Sequence, residues 1–165
     1  MLRSKGVIAK NRRAYPRPKI PLHARTVNEG ITLEENLCPV LIEDCVSSGE
    51  KNKIKVFVPH PFTFIVLKIF ALRDRVNDVE KDNGRHHALD IFSVLSTMSE
   101  MEWDDAKKMK KQFLSNPVME ESSKIVGKLF NDIGSLGIMR IKESPYYRES
   151  FELESFISIL KELFL

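Results

Sequence analysis

At Val58 the residue pattern changes period. Lys53-Ile54-Lys55-Val56-Phe57-Val58 alternates polar and apolar side chains, which is the repeat of a β-strand. Pro59 and Pro61 follow and stop the strand, because a proline has no N–H for the ladder. Beyond them, Phe62-Thr63-Phe64-Ile65-Val66-Leu67 is almost wholly apolar up to Lys68. Proline is well suited to the first turn of a helix. The spacing therefore predicts a helix from Pro61 to about Val79, apolar enough to be buried in a core.

On the N-terminal side of this junction, Cys38 to Val46 is apolar and β-branched, and Ser47-Ser48-Gly49-Glu50-Lys51-Asn52 reads as a turn. With 53–58 it suggests a β-hairpin. On the C-terminal side the chain reads helical. Asn83-Gly84 breaks the first helix. A second helix runs from about Arg85 to Met98, with Leu89, Phe92 and Val94 or Leu95 on one face. Ser99 followed by Glu102 is a capping box that opens a third helix, about 100–114. Met101, Ala106, Met109 and Phe113 are expected inside it, and Lys107, Lys108, Lys110 and Lys111 on its solvated face. Asn116-Pro117 starts a fourth helix to about Ile133. Gly134 and Gly137 mark a loop, Pro145-Tyr146-Tyr147 another, and an amphipathic helix closes the chain from about Glu152 to Phe164. The fold class is α+β, mostly α: a short β-hairpin or small sheet followed by a bundle of four to five helices.

A chain of 165 residues is about one domain. Its apolar runs are too short for a membrane span of roughly 20 residues. The basic start is not followed by the apolar stretch of a secretory signal. Cys38 and Cys45 make no disulfide framework and read as reduced thiols of a cytoplasmic protein. Seven glycines without a G-x-G cluster exclude an evident dinucleotide or P-loop site. The net charge of +3 conceals an asymmetry: residues 1–25 hold eight Lys and Arg and no acid, leaving 18 bases against 23 acids in the other 140 residues. Pro16, Pro18 and Pro21 forbid a helix there. This gives a basic, unpacked arm over 1–25 and a single domain over 26–165, with its β element at 26–58 and helices at 59–165. The arm is the candidate surface for nucleic acid or another polyanion.

The densest polar constellation lies between residues 60 and 92. Lys68 interrupts an apolar run, where a cation is costly without a partner. Lys68 and Arg75 are seven apart and share a helix face, as do His86 and Asp90, four apart. Antiparallel packing of the two helices would let Lys68 or Arg75 meet Asp82 or Asp90. On the residues alone, a structural ion-pair network that staples the two helices is the favoured reading over a binding site. A protein-built metal site finds little support: adjacent His86 and His87 point to different helix faces, His60 is distant, and no H-x-x-x-H or C-x-x-C occurs. Glu43-Asp44 sits on the first predicted strand. Carboxylates there are how Mg²⁺-dependent phosphoryl-transfer sites are built, and neighbours on one strand point to opposite faces, so one at most could serve. Asp44 is the candidate.

From Val58 to Phe92 the sequence resembles the helical part of nucleotidyltransferase-like proteins, notably the AbiEii-type family of toxin–antitoxin systems. The residues carrying the resemblance are Lys68, Ala71 and Arg75 in a Lys-x-x-Ala-x-x-x-Arg pattern, then Lys81-Asp82, then Asp90. The resemblance extends weakly through the C-terminal helices. It implies a helical region following a nucleotidyltransferase core whose Asp-x-Asp pair holds Mg²⁺ against a nucleoside triphosphate. Lys68 and Arg75 would neutralise triphosphate charge, and Asp82 and Asp90 would orient them or contact the nucleotide. The Gly-Ser…Asp-x-Asp catalytic motif is absent, and Asp74…Asp78 has the wrong spacing. The expectation is a truncated or degenerate nucleotidyltransferase-like protein, its metal-binding half absent or supplied by another chain. The alternatives are a helical protein-interaction module, including a homo-oligomer, and a nucleic-acid binder acting through residues 1–25.

Overall fold

The computed structural model describes residues 13–14, 24–25, 28–45 and 51–165. Within the basic segment, β1 (Arg13–Ala14) and β2 (Ala24–Arg25) form a minimal antiparallel ladder. The remainder of the arm, and most of the expected turn after Cys45, lie outside the described residues. The expected hairpin is present as β3 (Cys38–Cys45) and β4 (Lys51–Val58), paired antiparallel from Cys38↔Val58 to Cys45↔Lys51. The two cysteine backbones sit at opposite ends of β3, separated by about 24 Å at ~3.4 Å per residue, which no disulfide bridges.

Six helices follow: α1 (Pro61–Arg75), α2 (Arg85–Thr97), α3 (Glu100–Gln112), α4 (Pro117–Leu129), α5 (Leu136–Lys142) and α6 (Leu153–Phe164). Their starts obey local chemistry. Pro61 and Pro117 occupy first-turn positions of α1 and α4. Asn116 accepts a hydrogen bond from the Val118 amide at 2.9 Å. At α3 the Ser99 hydroxyl accepts from the Glu102 amide and the Glu102 carboxylate accepts from the Ser99 amide, so the capping box forms in full. His60 caps α1, its Nδ1 accepting from the Phe62 amide at 3.1 Å. The sequence reading had not assigned His60 this role.

The ends depart more from expectation. α1 stops at Arg75, not near Val79. The Asp78 carbonyl accepts from the amides of Lys81 and Asn83 and starts a 3₁₀ segment over Val79–Gly84. Val79 is 80% exposed and offers little apolar gain for another turn. α4 stops at Leu129 rather than Ile133, because the Asp132 carboxylate accepts from the Gly134 amide and the Ser135 hydroxyl and folds a tight turn. Met101, expected inside, is exposed. It lies in the first turn of α3, whose buried face is made by Ala106 and Met109. The stretch Leu136–Lys142, expected as loop, is α5. Its Arg140 guanidinium donates twice to the Val76 carbonyl, at 3.1 and 3.0 Å, and caps the end of α1.

One contiguous apolar core takes residues from all six helices, among them Phe62, Ile69, Ile91, Met109, Phe130 and Leu160. Among the described residues, none of β3 or β4 belongs to it. The segment before the hairpin is tied down instead: Thr32 is buried and its carbonyl accepts from the Thr63 hydroxyl at 3.0 Å. Among the described residues, no helix is long and apolar enough to cross a membrane.

Candidate functional site

α1 and α2 run antiparallel, and their shared edge gathers the polar residues singled out in the sequence. Lys68 on α1 reaches Asp90 on α2, with Nζ to Oδ2 at 2.5 Å. The ammonium is held from its other side by the Phe64 ring, 4.8 Å from the centroid. Arg75, two turns further along α1, meets His87 on α2 through Nη1 and Nε2. Asp82, in the 3₁₀ connection, pairs with Arg85. The predicted cations and carboxylates thus lie along one seam, yet only Lys68 and Asp90 contact each other.

The seam does not treat its cations alike. The Lys68 charge is offset by Asp90 and that of Arg85 by Asp82. The Arg85 guanidinium holds the Asp82 carboxyl below the usual carboxylate range. Arg75 faces an imidazole. Burial pushes the His87 pKa down to about 4, helped by the charges of His86, Arg75 and Lys68 and opposed by Asp90. His87 is therefore neutral at pH 7. Since a guanidinium only donates, Nε2 of His87 accepts and its proton resides on Nδ1. That Nδ1 is buried without a partner among the described residues. Arg75 makes no ion pair among the described residues and keeps its full charge. Beside it lies a groove of about 180 Å³ whose walls include Leu67, Phe70, Ala71 and Lys81. Glu29 and Asp74 line it too, the Asp74 carboxylate being paired with Arg73, and Lys68 is not among its lining residues. The groove is smaller than the roughly 300 Å³ at which small-molecule pockets begin, and matches a single phosphate-sized anion better than a whole nucleotide.

His87 sets a pH dependence with a definite sign. Its pKa falls from an ordinary 6.5 to about 4 on folding, so between those values the unfolded chain binds more protons. Stability contributed by neutral His87 is complete above pH 6.5 and is lost as pH falls toward 4. Urea midpoints measured from pH 7.5 down to 4.5 should decline, and His87→Phe should flatten that decline. An unchanged slope in the variant would place the titration elsewhere.

The other candidates separate from this seam. Asp44 is in β3, opposite Asn52, and its side chain lies outside the described residues. Glu43 pairs with Lys53 across the hairpin at 2.5 Å. His86 is exposed, although its ring lies 3.9 Å from that of His87. Among the described residues, no group of three His, Cys, Asp or Glu converges as metal ligands. The seam carboxylates, Asp82 and Asp90, are each taken by a cation, so this donor set does not fit Mg²⁺. Gly134-Ser135 lies at the start of α5 and no Asp-x-Asp follows it. The lysines of α3 also differ from a plain solvated face. Lys110 donates to the Glu162 carbonyl at 2.8 Å and Lys107 pairs with the Glu162 carboxylate at 3.3 Å, where cations meet the C-terminal dipole of α6. The sequence offered His87 only as a metal ligand, not as the partner of Arg75. Its signal was its place among apolar neighbours, Ala88 and Ile91, on the buried side of α2. Comparison with protein-family models, with curated proteins and with solved structures finds no match for this chain.

Proposed function

We propose that this chain is the helical portion of a nucleotidyltransferase-like protein of toxin–antitoxin type, and that its α1–α2 seam contacts a nucleotide phosphate while another chain supplies the metal-binding acids. One observation carries the reading: Arg75 lines a phosphate-sized groove and makes no ion pair among the described residues, its partner His87 being neutral. Lys68, held by Asp90, is a positioning residue that fixes the spacing of α1 against α2. Asp82 does the same for Arg85 at the start of α2. The resemblance carried by Lys68, Ala71, Arg75, Lys81-Asp82 and Asp90 supports the same reading. Transfer chemistry by this chain alone is not part of the proposal.

Isothermal titration of ATP, GTP, CTP and UTP with Mg²⁺ tests it. Binding of at least one nucleotide is expected, with Arg75→Ala weakening it about 10- to 100-fold, the worth of a hydrogen bond to a charged group. Lys68→Ala should weaken it less. Absence of binding by all four, or equal binding by wild type and Arg75→Ala, would refute the phosphate contact.

A further inference from the structure

The hairpin has two faces of different chemistry, and among the described residues neither is covered. Residues directly opposite in the register share a face. Cys38 with Val58, Val40 with Val56 and Ile42 with Ile54 make one face, apolar as far as Asp44 with Asn52 at its turn end. Pro39 with Phe57, Leu41 with Lys55 and Glu43 with Lys53 make the other. Ile42 is 51% exposed and Ile54 60%, values that a packed sheet face does not show. Leu41 and Phe57, on the second face, are equally open. Neither β3 nor β4 has a second strand neighbour among the described residues. An isolated two-stranded ribbon is only marginally stable in water, and an aliphatic face left in water marks a contact surface.

The two open edges are not equivalent. β3 carries Pro39, which offers no N–H, and two acids, Glu43 and Asp44. β4 has no proline, and its second-face positions carry Lys51, Lys53 and Lys55. Lys53 is balanced by Glu43. Lys55 stands opposite Leu41, has no ion pair among the described residues, and lies over Phe57 at 5.3 Å from the ring centroid. A second copy adding its own β4 would set lysine against lysine, which is unfavourable.

From this charge pattern we infer that the β4 edge receives an extended segment of another protein in which aliphatic and acidic residues alternate. Added as a third strand, such a segment supplies main-chain hydrogen bonds to the free edge. Its aliphatic side chains extend the Val40–Ile42–Ile54–Val56 face, and its carboxylates fall beside Lys53 and Lys55. The period of two puts both matches in register at once. This surface is separate from the α1–α2 seam, so it stands or falls independently of the phosphate contact.

The test uses the full chain and a fluorescein-labelled peptide of eight residues alternating glutamate and valine, read by anisotropy. Two controls are a peptide of the same composition with its glutamates and valines in two blocks, and an alternating lysine–valine peptide. The alternating acidic peptide is expected to bind with a Kd of about 10–100 µM, and both controls about tenfold more weakly or worse. The double variant Lys53→Glu, Lys55→Glu should invert the preference toward the lysine–valine peptide. Since the hairpin adds nothing to the helical core, helical circular dichroism and the urea midpoint of that variant should match wild type. Equal affinity for all three peptides, or no change in preference in the charge-reversed variant, overturns the proposal. A concentration-dependent dimer abolished by Ile54→Lys also overturns it, with a second copy as the occupant.

Discussion

Phe62→Ala is expected to remove about 3–5 kcal/mol of folding stability, the cost of truncating a fully buried phenylalanine. Phe62 has no solvent exposure and its ring stacks on Phe164, with centroids 5.7 Å apart and planes within 5°. It joins the first turn of α1 to the last turn of α6, so the lost ring opens a cavity between elements that are far apart in the chain. Against a total stability of roughly 5–15 kcal/mol, this is a large share. At about 2–4 °C per kcal/mol for a chain of this size, the thermal midpoint should fall by roughly 6–20 °C, read by circular dichroism at 222 nm. A loss below about 1 kcal/mol would mean that α1 and α6 do not meet at this residue.

Two glycines should respond to the same substitution with opposite signs. At Gly137, an added Cβ would stand 2.6 Å from the Leu129 carbonyl oxygen and 2.6 Å from a Phe130 ring carbon. Phe130 is fully buried and the carbonyl is backbone, so neither yields cheaply. Gly137→Ala is expected to cost about 3 kcal/mol, the upper part of the range for overpacking. At Gly127, within α4, the added Cβ meets nothing within 4 Å. Gly127→Ala should stabilise the protein by up to about 1 kcal/mol through backbone entropy. Urea unfolding of both variants decides the point. If Gly137→Ala were neutral, α5 would not rest on the end of α4 as described.

Gly137 also shows why part of the fold was not legible. In the sequence, Gly134 and Gly137 together read as a loop. The second glycine is there for close approach between α5 and α4, a packing reason with no local signature. A seven-residue helix is too short to declare itself by periodicity. The starts of α1, α3 and α4 were legible, because a proline or a capping side chain acts within three or four residues of itself. The end of α1 was not, since Val79 carries an apolar side chain that the local pattern counts as helical and the fold leaves in water.

The candidate site divides in the same way. The residue pattern alone determined that Lys68 needs a partner, that Lys68 and Arg75 share a face, and that a strand pair precedes a buried helix. These follow from burial cost and from backbone periods of 2 and 3.6, which are properties of the chain itself. Only the tertiary structure decided that Lys68 takes Asp90 rather than Asp82, that Arg75 lies against an imidazole kept neutral by burial, and that the hairpin leaves an aliphatic face and a lysine-bearing edge uncovered among the described residues. Those outcomes depend on how far apart and at what depth two helices settle, which is set by the summed packing of the whole core and is not encoded at any one of the residues that reveal it.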